Sequence, residues 1–194
     1  MSKNVTYITG SSDGPVAVTG ASGFVGSHIV KNLVEHGYDV RACVRDASRQ
    51  DKTFYLKDMD KCGPGNVQIF SCDLFEAKHG VYDEPFSGCS ATIHAAAAMG
   101  TDTENYEPPS PLKMYESILD MTRGVLRSCT STGTVKRVIY TSSAAAIYGP
   151  TGTERHDDFI YSEEHWSGGT YETLEERHTG EDGETVWTNE NRAY

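Results

Sequence analysis

A short apolar strand, three spaced glycines and an amphipathic helix follow one another between Pro15 and Gly37, and few folds accept that succession. Pro15-Val-Ala-Val-Thr19 reads as a strand buried in a parallel sheet. Gly20, Gly23 and Gly26 come next, spaced G-x-x-G-x-x-G. Val25, Ile29, Val30, Leu33 and Val34 then share one face of a helix, which His36 and Gly37 close. A second strand, Tyr38 to Val44, runs into Arg45.

Between a strand and a helix, each glycine has a physical role. Gly20 turns the chain sharply off the strand, Gly23 lets backbone approach a pyrophosphate, and Gly26 lets the helix lie close on the sheet. The start of the helix presents free amides and a partial positive charge to phosphate. Ser22, Phe24 and Val25 belong to the same phosphate-facing turn. No Gly-Lys-Ser/Thr follows, which excludes the ATP-type phosphate loop. The residue ending the second strand distinguishes two dinucleotides, because an acidic side chain holds ribose hydroxyls whereas arginine accepts a 2′-phosphate. Arg45, with Arg49 and Lys52 behind it, favours NADP over NAD. A solvated surface arginine, partly neutralised by Asp46, is the alternative.

The remaining chain is read against that unit. Residues 1–14 form a polar extension, and residues 46–66 read as a surface helix ended by Gly63-Pro64-Gly65. Asn66 to Cys72 is a third strand, followed by Asp73-Leu74. Asp73 either accepts from an adenine amino group, caps the next short helix, or does both. Ala91 to His94 is a fourth strand. The small residues Ala95, Ala96 and Ala97 after it allow a flat ligand to lie on backbone, or else begin an alanine-rich helix. His94, alone on a buried strand, reads as a hydrogen-bonded core residue rather than a base. Pro111 to Ser131 is a long helix with a stripe through Met114, Tyr115, Ile118, Leu119, Val125, Leu126 and Cys129. Arg137 to Thr141 is a fifth strand, leading into Ser142 and Ser143.

Strands alternating with helices predict an α/β fold with a doubly wound parallel sheet of the Rossmann type, spanning residues 15–150. Ligands of such sheets bind at the carboxyl ends of the strands. Gly20, Asp73, the alanine run, Thr141 and Ser142 all belong to that edge. Residues 151–194 are an acidic segment with twelve acidic and three basic side chains, which carries most of the net charge of −11.

That charge argues against nucleic acid or an anionic membrane surface as partner. Five cysteines without a C-x-x-C spacing indicate neither a disulfide framework nor a metal site, and suit a reducing, cytoplasmic setting. The first fourteen residues lack the apolar core of a signal peptide, and no apolar run approaches a membrane span. Nothing in the sequence bears on oligomeric state.

The motifs Val18-Thr-Gly-Ala-Ser-Gly-Phe-Val-Gly-Ser27, Val40-Arg-Ala-Cys-Val-Arg-Asp46, Cys72-Asp-Leu74, His94-Ala-Ala-Ala97 and Arg137-Val-Ile-Tyr-Thr-Ser-Ser-Ala144 resemble those of the extended short-chain dehydrogenase/reductases. Tyr161-Ser-Glu-Glu-His-Trp166 adds a likeness to the dihydroflavonol reductase and cinnamoyl-CoA reductase group within that epimerase/dehydratase superfamily. The resemblance covers about residues 15–166.

It implies hydride transfer between NADPH and a small-molecule carbonyl (a ketone, aldehyde or thioester). It also implies a serine after the fifth strand, here Ser143, that hydrogen-bonds the substrate oxygen. In the group a tyrosine of a Tyr-x-x-x-Lys pair moves the proton, the lysine lowering a phenol pKa that is near 10 when free. No tyrosine within this chain has lysine four positions on. Tyr194, the last residue, sits in Asn191-Arg-Ala-Tyr and is the candidate; its lysine would fall beyond it. Tyr148 and Tyr171 lack the partner and are set aside. These residues are therefore expected to be the amino-terminal portion of a reductase, with little or no turnover by themselves. A non-catalytic NADP-binding fragment or truncated isoform, and a nucleotide-sugar epimerase or dehydratase, are the competing readings.

Overall fold

The protein is described by a computed structural model that covers residues 13–97, 111–146 and 162. The chain divides into two compact units, one of Met1–Met99 with Leu119–Thr141, the other of Gly100–Ile118 with Ser142–Tyr194. The first unit contains a five-stranded sheet. Its strands are β1 (Val16–Thr19), β2 (Val40–Val44), β3 (Val67–Ser71), β4 (Ala91–His94) and β5 (Arg137–Tyr140). They lie in the order β3-β2-β1-β4-β5, every neighbouring pair parallel. The helices are α1 (Phe24–Glu35), α2 (Gln50–Asp58), the short α3 (Asp83–Phe86) and α4 (Pro111–Ser131).

Strand side chains alternate between the two faces, and each face carries its own core. Ala17, Cys43 and Cys72 pack with Tyr82, Phe86, Val125 and Cys129, from the α3 and α4 side. Val18, Ala42 and Val44 pack with Val30 and Val34 of α1 and Leu56 of α2. Helices on both faces of a parallel sheet are the doubly wound arrangement expected from the sequence.

Three details differ from the expectation. Val25 was grouped with the buried stripe of α1 but is 51% exposed, because it lies in the first turn of the helix; Val30 and Val34 do the packing. On α4 the buried face runs through Met121, Val125 and Cys129, a spacing of four, and leaves Leu126 exposed beside it. β2 begins at Val40 rather than Tyr38. Gly37, at φ +83°, and Tyr38 donate back to Val34 and Leu33, a Schellman closure of α1 that keeps Tyr38 out of the strand.

Candidate functional site

All five strands run the same way, so their carboxyl ends form one rim in the first unit. β1 ends at Thr19 and enters the glycine turn. Gly20 adopts φ +67°, and a β-carbon there would stand 2.8 Å from the Ala96 Cα and N, so two backbones meet at this point. Gly26 is held more tightly still, since its added carbon would lie 2.1 Å from the Gly20 carbonyl oxygen. The close approach that Gly26 permits is therefore to the turn itself, not to the sheet. Gly23 N–H donates to Gly20 O at 2.9 Å, and Ala21 N–H to Cys43 O at 3.2 Å, which ties the turn to β2.

Gly23 is the extended N-cap of α1, with no side-chain cap and no acidic residue in the first turn. The amides of Phe24, Val25 and Gly26 have no acceptor within the helix. A helix start with neither a side-chain cap nor an acidic first turn fits an anion.

Arg45 follows β2 on the same rim and is exposed. Among the described residues no hydrogen bond or ion pair engages its guanidinium. Asp46, the suspected neutralising group, is turned elsewhere. Its carboxylate accepts from the Ser48 hydroxyl at 2.6 Å and the Ser48 amide at 2.8 Å, and these donors hold its pKa below the usual carboxylate range. Arg49 is paired with Asp51 through two contacts at 2.9 and 2.8 Å, and Lys52, in the first turn of α2, is exposed near this end. Tyr55 of α2 donates its hydroxyl to the Ser22 carbonyl at 2.6 Å and joins the cationic end to the glycine turn. Sequence reasoning missed this contact; an aromatic on a surface helix gives no sign of it.

Asp73 caps the 3₁₀ turn Leu74–His79 by accepting from the Phe75 amide at 3.1 Å. One acceptor oxygen remains for a ligand, so the capping role leaves the other one open. Ala95, Ala96 and Ala97 lead away from β4 without helical structure, and Thr141 N–H donates to His94 O at 3.0 Å. His94 is buried and bonded through Nδ1 to the Thr19 hydroxyl at 2.6 Å, as a core histidine should be. Burial pushes its imidazole down to about 4.

Ser142 and Ser143 belong to the second unit, where the Ser143 carbonyl accepts from the Ala146 amide at 3.0 Å in the turn Ala144–Ala146. Tyr194 and the acidic stretch 163–193 lie outside the described residues. Among the described residues no group of acidic, histidine or cysteine side chains is built to hold a metal ion, and no helix is long and apolar enough to cross a membrane.

Residues 16–167 match the NAD dependent epimerase/dehydratase family. The bifunctional dihydroflavonol 4-reductase/flavanone 4-reductase of Malus domestica is 37% identical over 158 residues, 81% of this chain and 42% of that protein. The dihydroflavonol 4-reductase of Hordeum vulgare is 37% identical over 157 residues, 79% of this chain and 40% of its own length. Vestitone reductase from alfalfa (Medicago sativa L.) is 31% identical, with a TM-score of 0.53 over 69% of this chain and 37% of that structure. The chain thus spans about two-fifths of the length of the curated relatives it matches.

Proposed function

Because the chain belongs to the NAD dependent epimerase/dehydratase family, we propose that it is the dinucleotide-binding part of an NADP-dependent reductase of small-molecule carbonyls. The observation that carries the reading is the juxtaposition on one rim of an uncapped helix start and an arginine whose acidic neighbour is engaged by Ser48. The similarity to dihydroflavonol 4-reductases supports the reductase chemistry over that of the sugar-nucleotide enzymes.

In this reading the turn Gly20–Gly26, including Ser22 and the amides of Phe24 and Val25, holds the pyrophosphate. Arg45 and Lys52 take the 2′-phosphate, and Asp73 and Leu74 receive the adenine. The backbone of Ala95, Ala96 and Ala97, with Thr141 and Ser142, lines the nicotinamide side. Bound NADPH supplies the hydride. Ser143 orients the carbonyl oxygen by a hydrogen bond, and Tyr194 is the proton donor to that oxygen. The substrate is a ketone, aldehyde or thioester. The buried cysteines, all unpaired in the structure, suit a reducing compartment.

Titration of the chain with NADPH and with NADH, repeated on Arg45→Ala, tests the cofactor assignment. Loss of a charge-assisted contact to phosphate costs about 1.5–3 kcal/mol, a ten- to hundredfold weakening. That loss is expected for NADPH alone. Equal weakening of both nucleotides would remove Arg45 from the site.

A further inference from the structure

The chain leaves β2 and β3 toward opposite faces of the sheet. After β2 it runs to α2, whose Leu56 packs with Val44 on one face. After β3 it enters the turn Leu74–His79, whose Leu74 and Ala77 pack on the other. A crevice therefore opens between the two departing segments, with Arg45 on one lip and Asp73 on the other.

Backbone pairing closes the base of this crevice as far as Val44, whose carbonyl accepts from the Cys72 amide at 2.7 Å. One step further out a side chain takes over. The Ser71 hydroxyl accepts from the Ala47 amide at 2.9 Å. Ser71 is the last residue of β3, in register with Val44, and it reaches a loop twenty-four positions away. Bonds within the loop and to α2 are local. Asp46 Oδ1 accepts both the hydroxyl and the amide of Ser48, and the Arg49 carbonyl accepts from the Thr53 hydroxyl at 2.9 Å. Such bonds fix the shape of the loop itself. Ser71 fixes where the loop stands against the sheet. The backbone of Arg45 is thus held on both sides, at Val44 by the ladder and at Ala47 by a serine. A ligand that engages the arginine then has less of the loop to order on binding.

We infer that Ser71 is a positioning residue: by tying the Ala47 amide to the end of β3 it fixes the loop that carries Arg45, and so sets the preference for a 2′-phosphorylated dinucleotide. The inference rests on the dinucleotide reading above. It adds a residue of β3 to a specificity otherwise assigned to the loop after β2.

The test titrates NADPH and NADH against the 194-residue chain and four variants: Ser71→Ala, Ser71→Thr, Arg45→Ala and the double variant of Ser71→Ala with Arg45→Ala. Ser71→Ala is expected to weaken NADPH about three- to tenfold, and NADH by less than about twofold. Ser71→Thr keeps the hydroxyl and is expected to keep the preference. Without Arg45, Ser71→Ala is expected to add less than about twofold, because the serine acts through the arginine. Should Ser71→Ala fail to fold, Ser71→Cys carries the same comparison, since sulfur is a weak acceptor. Hydrogen exchange reads the link directly: the Ala47 amide is expected to be protected in the unaltered chain and to exchange faster in Ser71→Ala. Equal weakening of the two nucleotides by Ser71→Ala overturns the inference, as does a lowered Tm with unchanged preference. So does a Ser71→Ala effect that persists in full without Arg45, since the hydroxyl would then merely brace the strand ends. Selective loss in Arg45→Ala alone would sink the inference and leave the cofactor assignment standing. An unaltered chain that binds neither nucleotide, or equal weakening of both by Arg45→Ala, removes the assignment itself.

Discussion

At the scale of single residues, burial makes His94 a pH-dependent element of stability. Its imidazole titrates near 4 in the folded protein against about 6.5 when free, because burial penalises the cation. The unfolded chain therefore binds a proton at a higher pH than the folded one. The stability contributed by the neutral ring is complete above pH 6.5, drains away as the pH falls toward 4, and changes no further below that. Among the described residues the Thr19 hydroxyl at Nδ1 and the Tyr140 ring, 5.2 Å away, lie against it. The expected size is up to about 3 kcal/mol. Denaturant unfolding at a series of pH values checks this: the difference between His94→Leu and the unaltered protein should shrink steadily from pH 6.5 to 4. A difference independent of pH would mean that the ring titrates normally. The sequence revealed that His94 was a core residue, since it stood alone on an apolar strand. It could not reveal the partner, because Thr19 is seventy-five positions away and only the strand register brings the two together.

Elements were legible where local rules act without competition. β4 and α4 begin and end where the apolar run and the Pro111 start place them. β2 starts later because the closure of α1 takes the amide of Tyr38, a hydrogen-bond choice that apolar patterning does not register. The union of α2 with the glycine turn was equally invisible, and it has a functional consequence. Tyr55 donates to Ser22 O, so α2 is tied to the glycine turn. Tyr55→Phe removes only the hydroxyl. It leaves Arg45 in place, so it is expected to weaken NADPH and NADH alike, by about 1 kcal/mol. Arg45→Ala, in contrast, affects NADPH alone. Measuring both cofactors on both variants separates an orienting contact from a charge contact. A Tyr55→Phe effect confined to NADPH would mean that the hydroxyl acts through the 2′-phosphate end and not through the turn.

Across the whole molecule, alternating strand and helix patterns were enough to imply one parallel sheet with a ligand edge, because right-handed crossovers leave few other arrangements. The pattern does not say which side chains fill each face, and here the face toward α3 and α4 collects four of the five cysteines. Cys43, Cys72, Cys89 and Cys129 are buried on it while Cys62 is exposed. Burial pushes the thiols of Cys89 and Cys129 up, the former to about 11, and a side-chain hydrogen bond with Cys72, together with burial, raises Cys43. A thiol reagent in the native state should therefore modify one cysteine quickly, Cys62. The other four need the protein to open. They come from β2, the segment after β3, the segment before β4, and α4, so their joint protection reports whether the sheet and α4 open together. If they do, the four label at one slow rate. NADPH at a hundred times its Kd then slows all four by the same factor, near a hundredfold, since ligand stabilises the folded state by about 2.7 kcal/mol. Mass spectrometry of labelled peptides over time resolves the sites. Early modification of Cys129 alone, unaffected by NADPH, would show that α4 detaches by itself and that the two faces of the sheet do not unfold as one cooperative body.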